Sequence, residues 1–219
     1  GVPIVGSVWW AGASKGVNNT QARDSILKTL NINASPPPPS GPMAGDPIRI
    51  GIIGFGIRGP QLCRALGFGQ KSWLASMAEA AKKNPKDTRL SSFLEQEHLN
   101  VHITAVCDLF DVRAQDAIDS FSTDVVKVQR FRTHQELVES DVVDAVIIAT
   151  PDHWHAPIAI AALQAGKHVY VEKPMTHNIK ETYALKDVVE ASNVVFQVGH
   201  QHRQTQSFPS DITTITPTE

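Results

Sequence analysis

Six residues, Gly54-Phe-Gly-Ile-Arg-Gly59, restrict what this chain can fold into more than any other segment. They follow Ile48-Arg-Ile-Gly-Ile-Ile53, an apolar run of strand length, and lead into a stretch with helical spacing from Gly59 to Leu66. Placed between a strand and a helix, the spacing Gly-x-Gly-x-x-Gly meets three steric demands. Gly54 permits a tight turn, Gly56 lets the backbone approach a pyrophosphate, and Gly59 lets helix and strand pack closely. The helix N-terminus then offers unpaired N–H groups to an anion. Phe55, Ile57 and Arg58 complete the turn, so the whole run Gly54–Gly59 is a candidate cofactor-binding segment.

Downstream, short apolar runs alternate with helical periods, the pattern of βαβ units in a parallel sheet. Strands are predicted at His102–Cys107, Val128–Phe131, Asp144–Ala149, His168–Glu172 and Val194–Val198. Helices are predicted at Asp111–Phe121, Ala156–Ala165 and Ile179–Ser192. A further helix opens on Thr133-His-Gln-Glu136, which has capping-box spacing. Asp144-Ala-Val-Ile-Ile-Ala149 is apolar almost throughout, as a strand covered on both faces should be. The predicted class is α/β: a doubly wound parallel (Rossmann) sheet with helices on both faces. Gly67–Asn100 interrupts the alternation with two helical stretches, Ser72–Lys83 and Leu90–Glu97, and reads as a surface elaboration.

Upstream, Asn18–Leu30 has amphipathic helical spacing. Ala34-Ser-Pro-Pro-Pro-Pro-Ser-Gly-Pro42 is then a stiff extended linker. Three regions follow: residues 1–45 as an apolar segment, helix and proline-rich linker, 46–203 as the dinucleotide-binding domain, and 204–219 as an irregular tail. With 219 residues the chain suffices for one domain, or one plus part of a second. Twenty Lys and Arg against 22 Asp and Glu, with no clustered basic face, argue against a nucleic-acid partner. No apolar run reaches the roughly 18 residues of a membrane span. Gly1–Ser14, an apolar run followed by small residues, has the character of an export-signal remnant. Its rival is an apolar arm packed on the domain or on a second subunit of a homo-oligomer, with a cytoplasmic location. Cys63 and Cys107, in apolar segments, read as buried thiols.

The carboxyl ends of the predicted strands carry the chemistry. Asp108 closes Val106-Cys-Asp108, where an acidic residue accepts hydrogen bonds from the adenosine ribose. Its charge favours NAD over NADP, although Arg113 nearby softens that preference. The separation from the glycine turn exceeds the usual ~20 residues because Gly67–Asn100 intervenes. The competing role for Asp108 is to cap the following helix. Thr150, Pro151 and His155 stand in Ala149-Thr-Pro-Asp-His-Trp-His155, at the edge where doubly wound sheets bind ligands, and are read as cofactor contacts. His153 reads as a solvent-exposed loop histidine. Two histidines and an aspartate invite a metal reading, but His153 and His155 alternate in one turn and no third ligand has suitable spacing, so no metal is expected. Glu172 and Lys173 end the next strand. A lysine there can hydrogen-bond a substrate hydroxyl and favour the alkoxide-like charge of a carbinol losing hydride.

These segments together resemble the Gfo/Idh/MocA oxidoreductase family. The likeness rests on Gly54–Gly59, Ala149-Thr-Pro-Asp-x-x-His155, Ala165-Gly-Lys-His-Val-Tyr-Val-Glu-Lys-Pro174 and Gly199-His-Gln-His-Arg203, and covers about Ile48–Gln206. The resemblance implies that the Thr-Pro and Glu-Lys-Pro segments line a nicotinamide pocket and that Lys173 acts in substrate binding and catalysis. It implies an NAD-dependent oxidoreductase moving hydride to or from a secondary hydroxyl of a sugar or polyol. An NAD-dependent glycosidase of the same family and a non-catalytic nucleotide-binding module are the alternatives. Members of the family carry a second α/β domain beyond the position of Arg203. That domain is missing before Glu219, so this stretch by itself is expected to be inactive. Exported members use a twin-arginine signal, which the N-terminal segment resembles without an Arg-Arg pair; the periplasm is the location so implied.

Overall fold

The computed structural model describes residues 45–97 and 99–201. The signal-like segment, the helix expected over Asn18–Leu30, the proline-rich linker, residues 202–203 and the 204–219 tail lie outside the described residues.

Six strands form one parallel sheet: β1 (Ile48–Ile53), β2 (Val101–Cys107), β3 (Gln129–Phe131), β4 (Ala145–Ile148), β5 (His168–Glu172) and β6 (Phe196–Gly199). Their spatial order is β3-β2-β1-β4-β5-β6. β1 therefore pairs with β2 on one side and β4 on the other, and the chain reverses its direction of travel across the sheet between β1 and β4. That reversal opens a crevice at the carboxyl edge, the position at which open α/β sheets bind ligands.

Alternation along the strands divides the core. Ile50 and Ile52 of β1 join Val101, Ile103, Leu62, Cys63, Ala114 and Phe121 in one cluster. It is covered by α1 (Arg58–Ala65) and α4 (Asp111–Phe121). Ile53, Ala105, Val146, Ile148, Val169 and Val171 point the other way. They meet residues of α5 (His134–Glu139), α6 (His155–Gln164) and α7 (Ile179–Ala191). Both faces of the sheet are thus covered, which is why central β4 reads as an unbroken apolar run.

The inserted segment forms α2 (Lys71–Lys83) and α3 (Arg89–Leu94). Leu74, Met77, Leu90, Phe93 and Leu94 bury each other in a small cluster of their own. Arg64 of α1 lies over the Trp73 ring, 4.8 Å from its centroid. The insertion is thereby docked beside α1, away from the crevice.

Several boundaries differ from expectation. A 3-10 turn, Asp152–Trp154, precedes α6, which begins at His155. β6 starts at Phe196 because the N–H of Val195 is taken by the His168 ring at 2.9 Å, outside the ladder. The Thr133–Glu136 capping box is present, with Thr133 Oγ1 accepting from the Glu136 N–H. Cys63 and Cys107 are both buried and unpaired. Burial pushes the Cys107 thiol up to about 11, with the Asp108 carboxylate adding to the effect.

Candidate functional site

The turn after β1 is fixed by contact with its neighbours. Gly54 has φ +89°, and a Cβ there would stand 2.6 Å from the Ala149 carbonyl oxygen. A Cβ on Gly59 would stand 2.3 Å from the Gly54 carbonyl oxygen. At Gly56 the nearest atom is Arg113 Nη1 at 3.5 Å, so this backbone is open to an approaching group. The residues between them divide their tasks. Phe55 is core, packed edge-on against Phe121 at 5.6 Å, and only its backbone belongs to the turn. Ile57 is 84% exposed.

Asp108 is 8% exposed, and both its oxygens are engaged. Oδ2 accepts from the Phe55 N–H (2.7 Å) and Oδ1 from the Phe110 N–H (2.8 Å). One carboxylate thus ties the glycine turn to the loop after β2. The capping role weighed for Asp108 is modified: α4 has Phe110 as its N-cap residue, and Asp108 holds that residue's amide from two positions upstream. Arg113 stacks on Phe110 at 4.6 Å and reaches toward Gly56, which places a cation at the rim of the turn.

At the ends of β4 and β5 a cleft of about 390 Å³ is lined by Arg58, Thr150, Asp152, His155, Glu172, Lys173 and neighbouring residues. Among the described residues, Thr150 Oγ1 is buried there without a hydrogen-bond partner. Pro151 is exposed at its edge. His155 is 2% exposed, and both ring nitrogens face main-chain carbonyls: Nδ1 to Pro174 (2.6 Å) and Nε2 to Thr150 (2.8 Å). The expected cofactor contact of His155 is narrowed to its ring surface: the side chain lines the cleft, but both ring nitrogens face main-chain carbonyls. Its ring links the β4 and β5 loops and leaves neither nitrogen for a ligand. His153 is exposed, 6.1 Å from the Trp154 ring.

Glu172 is buried and accepts from Arg58 Nε at 2.7 Å and Gln201 Nε2 at 2.6 Å. Tyr170 OH adds a longer bond at 3.3 Å. Burial, reinforced by the Glu172 charge, raises the Tyr170 hydroxyl above its ordinary range, so it stays a donor at neutral pH. Lys173 is exposed on the cleft wall. From the sequence, Tyr170 and Gln201 have no role and Asp152 is only a discounted metal ligand. Tyr170 lies two residues before Glu172 on one strand and so shares its face. Gln201 follows β6 at the same carboxyl edge.

This is the arrangement of a dinucleotide-binding α/β protein. A steric cradle lies at Gly54 and Gly59, an open backbone at Gly56, and an unpartnered Thr150 hydroxyl in the cleft. The donor and acceptor set fits a pyrophosphate-bridged cofactor. The family model for the oxidoreductase family with an NAD-binding Rossmann fold, Gfo/Idh/MocA, matches residues 48–200. The chain belongs to that family, and NAD is its cofactor.

Among curated proteins, glycosyl hydrolase family 109 protein 2 of Shewanella sp. (strain ANA-3) is 35% identical over 152 residues, 66% of this chain and 26% of that protein. Levoglucosan dehydrogenase of Pseudarthrobacter phenanthrenivorans is 41% identical over 71 residues, 32% of this chain and 18% of that protein. The chain thus spans about a quarter or less of the length of these relatives. Among solved structures, myo-inositol 2-dehydrogenase from Lactobacillus plantarum superposes with TM-score 0.55 at 22% identity, over 74% of this chain and 39% of that one. Scyllo-inositol dehydrogenase from Lactobacillus casei, solved with NAD(H) and scyllo-inositol, gives TM-score 0.54 at 22% identity, over 74% of this chain and 38% of that one. At this identity the two structures speak for the shared fold.

Proposed function

We propose that the protein transfers hydride between NAD and a secondary hydroxyl of a sugar or polyol, with Lys173 as the catalytic residue. The observation that carries this reading is the meeting of Lys173 with the Thr150 segment in one cleft beside the switch point of the sheet. The backbone N–H groups of the turn Gly54–Gly59 would hold the pyrophosphate, and Asp108 and Arg113 the adenosine end, with Asp108 favouring NAD over NADP. Thr150 and the Glu172–Lys173 segment would border the nicotinamide. NAD supplies the hydride-accepting ring. Lys173 Nζ, in its amine form, accepts the hydroxyl proton, so that alkoxide-like charge builds on the oxygen and drives the carbinol hydrogen out as hydride. The ammonium so formed hydrogen-bonds that oxygen as it becomes a carbonyl and, being solvent-accessible, returns the proton to water. The polyol class is supported by the levoglucosan and inositol dehydrogenases among the similar proteins.

The test is NADH production from inositols and anhydrosugars by the protein expressed from its complete reading frame. The Lys173→Ala variant should turn over about 10²–10⁴-fold more slowly with little change in NAD affinity. Undiminished turnover removes Lys173 from the mechanism.

A second reading, an NAD-dependent glycosidase that oxidises its sugar transiently, is favoured by the likeness to a glycosyl hydrolase family 109 protein. Product analysis separates the two. Sugar release without net NADH supports the glycosidase, and NADH accumulating with the ketone supports the dehydrogenase.

A further inference from the structure

Glu172 Oε1 gathers donors from three separate parts of the chain. Arg58 comes from the glycine turn, Tyr170 from β5 itself, and Gln201 from just beyond β6. Arg58 is braced in turn, since its Nη1 donates to Gln61 Oε1 at 2.8 Å within the first turn of α1. In the sheet β1 and β5 are not neighbours, because β4 lies between them. The Arg58–Glu172 pair therefore spans the carboxyl end of β4 and joins the two walls of the cleft.

Exposed ion pairs contribute little, commonly about 0–1 kcal/mol. This pair differs because the Glu172 side chain is only 7% exposed, against 36% for Arg58. Removing the arginine would leave a nearly enclosed carboxylate without its cation, which is the costly way to break such a pair. Glu172 immediately precedes Lys173 in the chain, so whatever fixes its carboxylate also limits the freedom of the peptide that carries the lysine.

We propose that Arg58 is a positioning residue: through Glu172 it couples the pyrophosphate-binding turn to the Lys173 segment and so sets the place of Lys173 against the dinucleotide. The catalytic consequence rests on the dehydrogenase reading, whereas the coupling itself does not. In this proposal Arg58 acts through Glu172 and not on the reacting atoms.

Two measurements on the protein from its complete reading frame test it, with Arg58→Ala, Arg58→Lys and Glu172→Gln. The first is backbone hydrogen exchange without substrate. Arg58→Ala and Glu172→Gln should each speed exchange across residues 172–177 by about tenfold or more, as local opening becomes easier. Arg58→Lys should fall between them and the parent, because an ammonium keeps the charge but cannot reach Glu172 and Gln61 together. The second is kinetic. At saturating NAD, Arg58→Ala should lower kcat by about 10- to 100-fold, the scale set by a misplacement near 1 Å, with KM for the polyol and Kd for NADH within about threefold. Unchanged exchange at 172–177 in the Arg58→Ala variant overturns the coupling. Retained kcat with a raised KM or NADH Kd overturns it too, by making Arg58 a ligand-binding group. Should the parent oxidise no polyol, the dehydrogenase reading fails, and the exchange measurement still decides the coupling. A variant that loses the native thermal transition is set aside, and Glu172→Gln, which keeps the size of the side chain, decides in its place.

Discussion

A single carboxylate, that of Asp108, ties two loops together, and in the proposed function it also meets the cofactor. Its two oxygens hold the Phe55 and Phe110 amides, and each oxygen retains a lone pair for a further donor. Replacing it with serine should therefore have two effects. The preference for NAD over NADP, read by calorimetry, should narrow, because the negative charge that repels a 2′-phosphate is gone while Arg113 stays. Stability in urea should fall by about 1–3 kcal/mol, the cost of leaving a buried amide unsatisfied. Equal affinities for NAD and NADP in the parent would remove Asp108 from cofactor choice. Gly59 has a purely steric duty. Gly59→Ala places a methyl 2.3 Å from the Gly54 carbonyl oxygen. A destabilisation of about 1–3 kcal/mol with weakened NADH binding is expected, measured by denaturation and by fluorescence titration.

Among the elements, α5 is the shortest to cover the sheet, at 6 residues, and it depends on its start. The Thr133 side chain accepts from the Glu136 N–H, and Glu136 Oε2 accepts from the Thr133 N–H at 3.3 Å. A helix this short has little stability of its own, so the box and the buried Leu137 and Val138 hold it in place. Thr133→Ala should cost about 1 kcal/mol in urea unfolding, and Thr133→Ser should restore most of it. A change below a few tenths would mean that packing alone fixes this helix. The insertion α2–α3 has its own core and touches α1 at Arg64 and Trp73. It lengthens the path between the glycine turn and Asp108, and β2 pairs in parallel with β1.

For the whole molecule, cofactor binding and pH act through linkage. NAD binds the folded chain and not the unfolded one, so at about a hundred times its Kd it should stabilise the protein by roughly 2.7 kcal/mol. A thermal transition that ignores NAD would contradict the site. Burial holds the His102 and His134 rings below their ordinary range. In the unfolded chain both titrate near 6.5, so the unfolded state takes up more protons as pH falls through that value, and stability should decline from about pH 7 to 5. Hydrogen bonding to Arg49 holds the Asp144 carboxyl below the usual range. Its contribution is present above about pH 3.9 and is lost as pH drops further. Urea midpoints across pH 3–8 should show both limbs, and Asp144→Asn should flatten the acid one.

Local rules made the fold legible. Short apolar runs, capping signals and a glycine turn between strand and helix are set by neighbours in sequence, so the α/β alternation and the Gly54–Gly59 turn could be read directly. Even the position of Lys173 at a strand end follows from periodicity. What the sequence left undecided was how distant residues divide their work. Phe55 sits within the glycine turn but belongs to the core, because Phe121 of α4 lies beside it. His155 is absorbed by the Thr150 and Pro174 carbonyls, which only the packed loops bring within reach. Arg58 and Glu172, far apart in the chain, meet because the strand order places β4 between their elements and leaves one cleft to share. Periodicity along a chain determines which face a side chain takes; hydrogen-bond partners across a sheet exist only once the strands are ordered, and that ordering is a property of the tertiary structure.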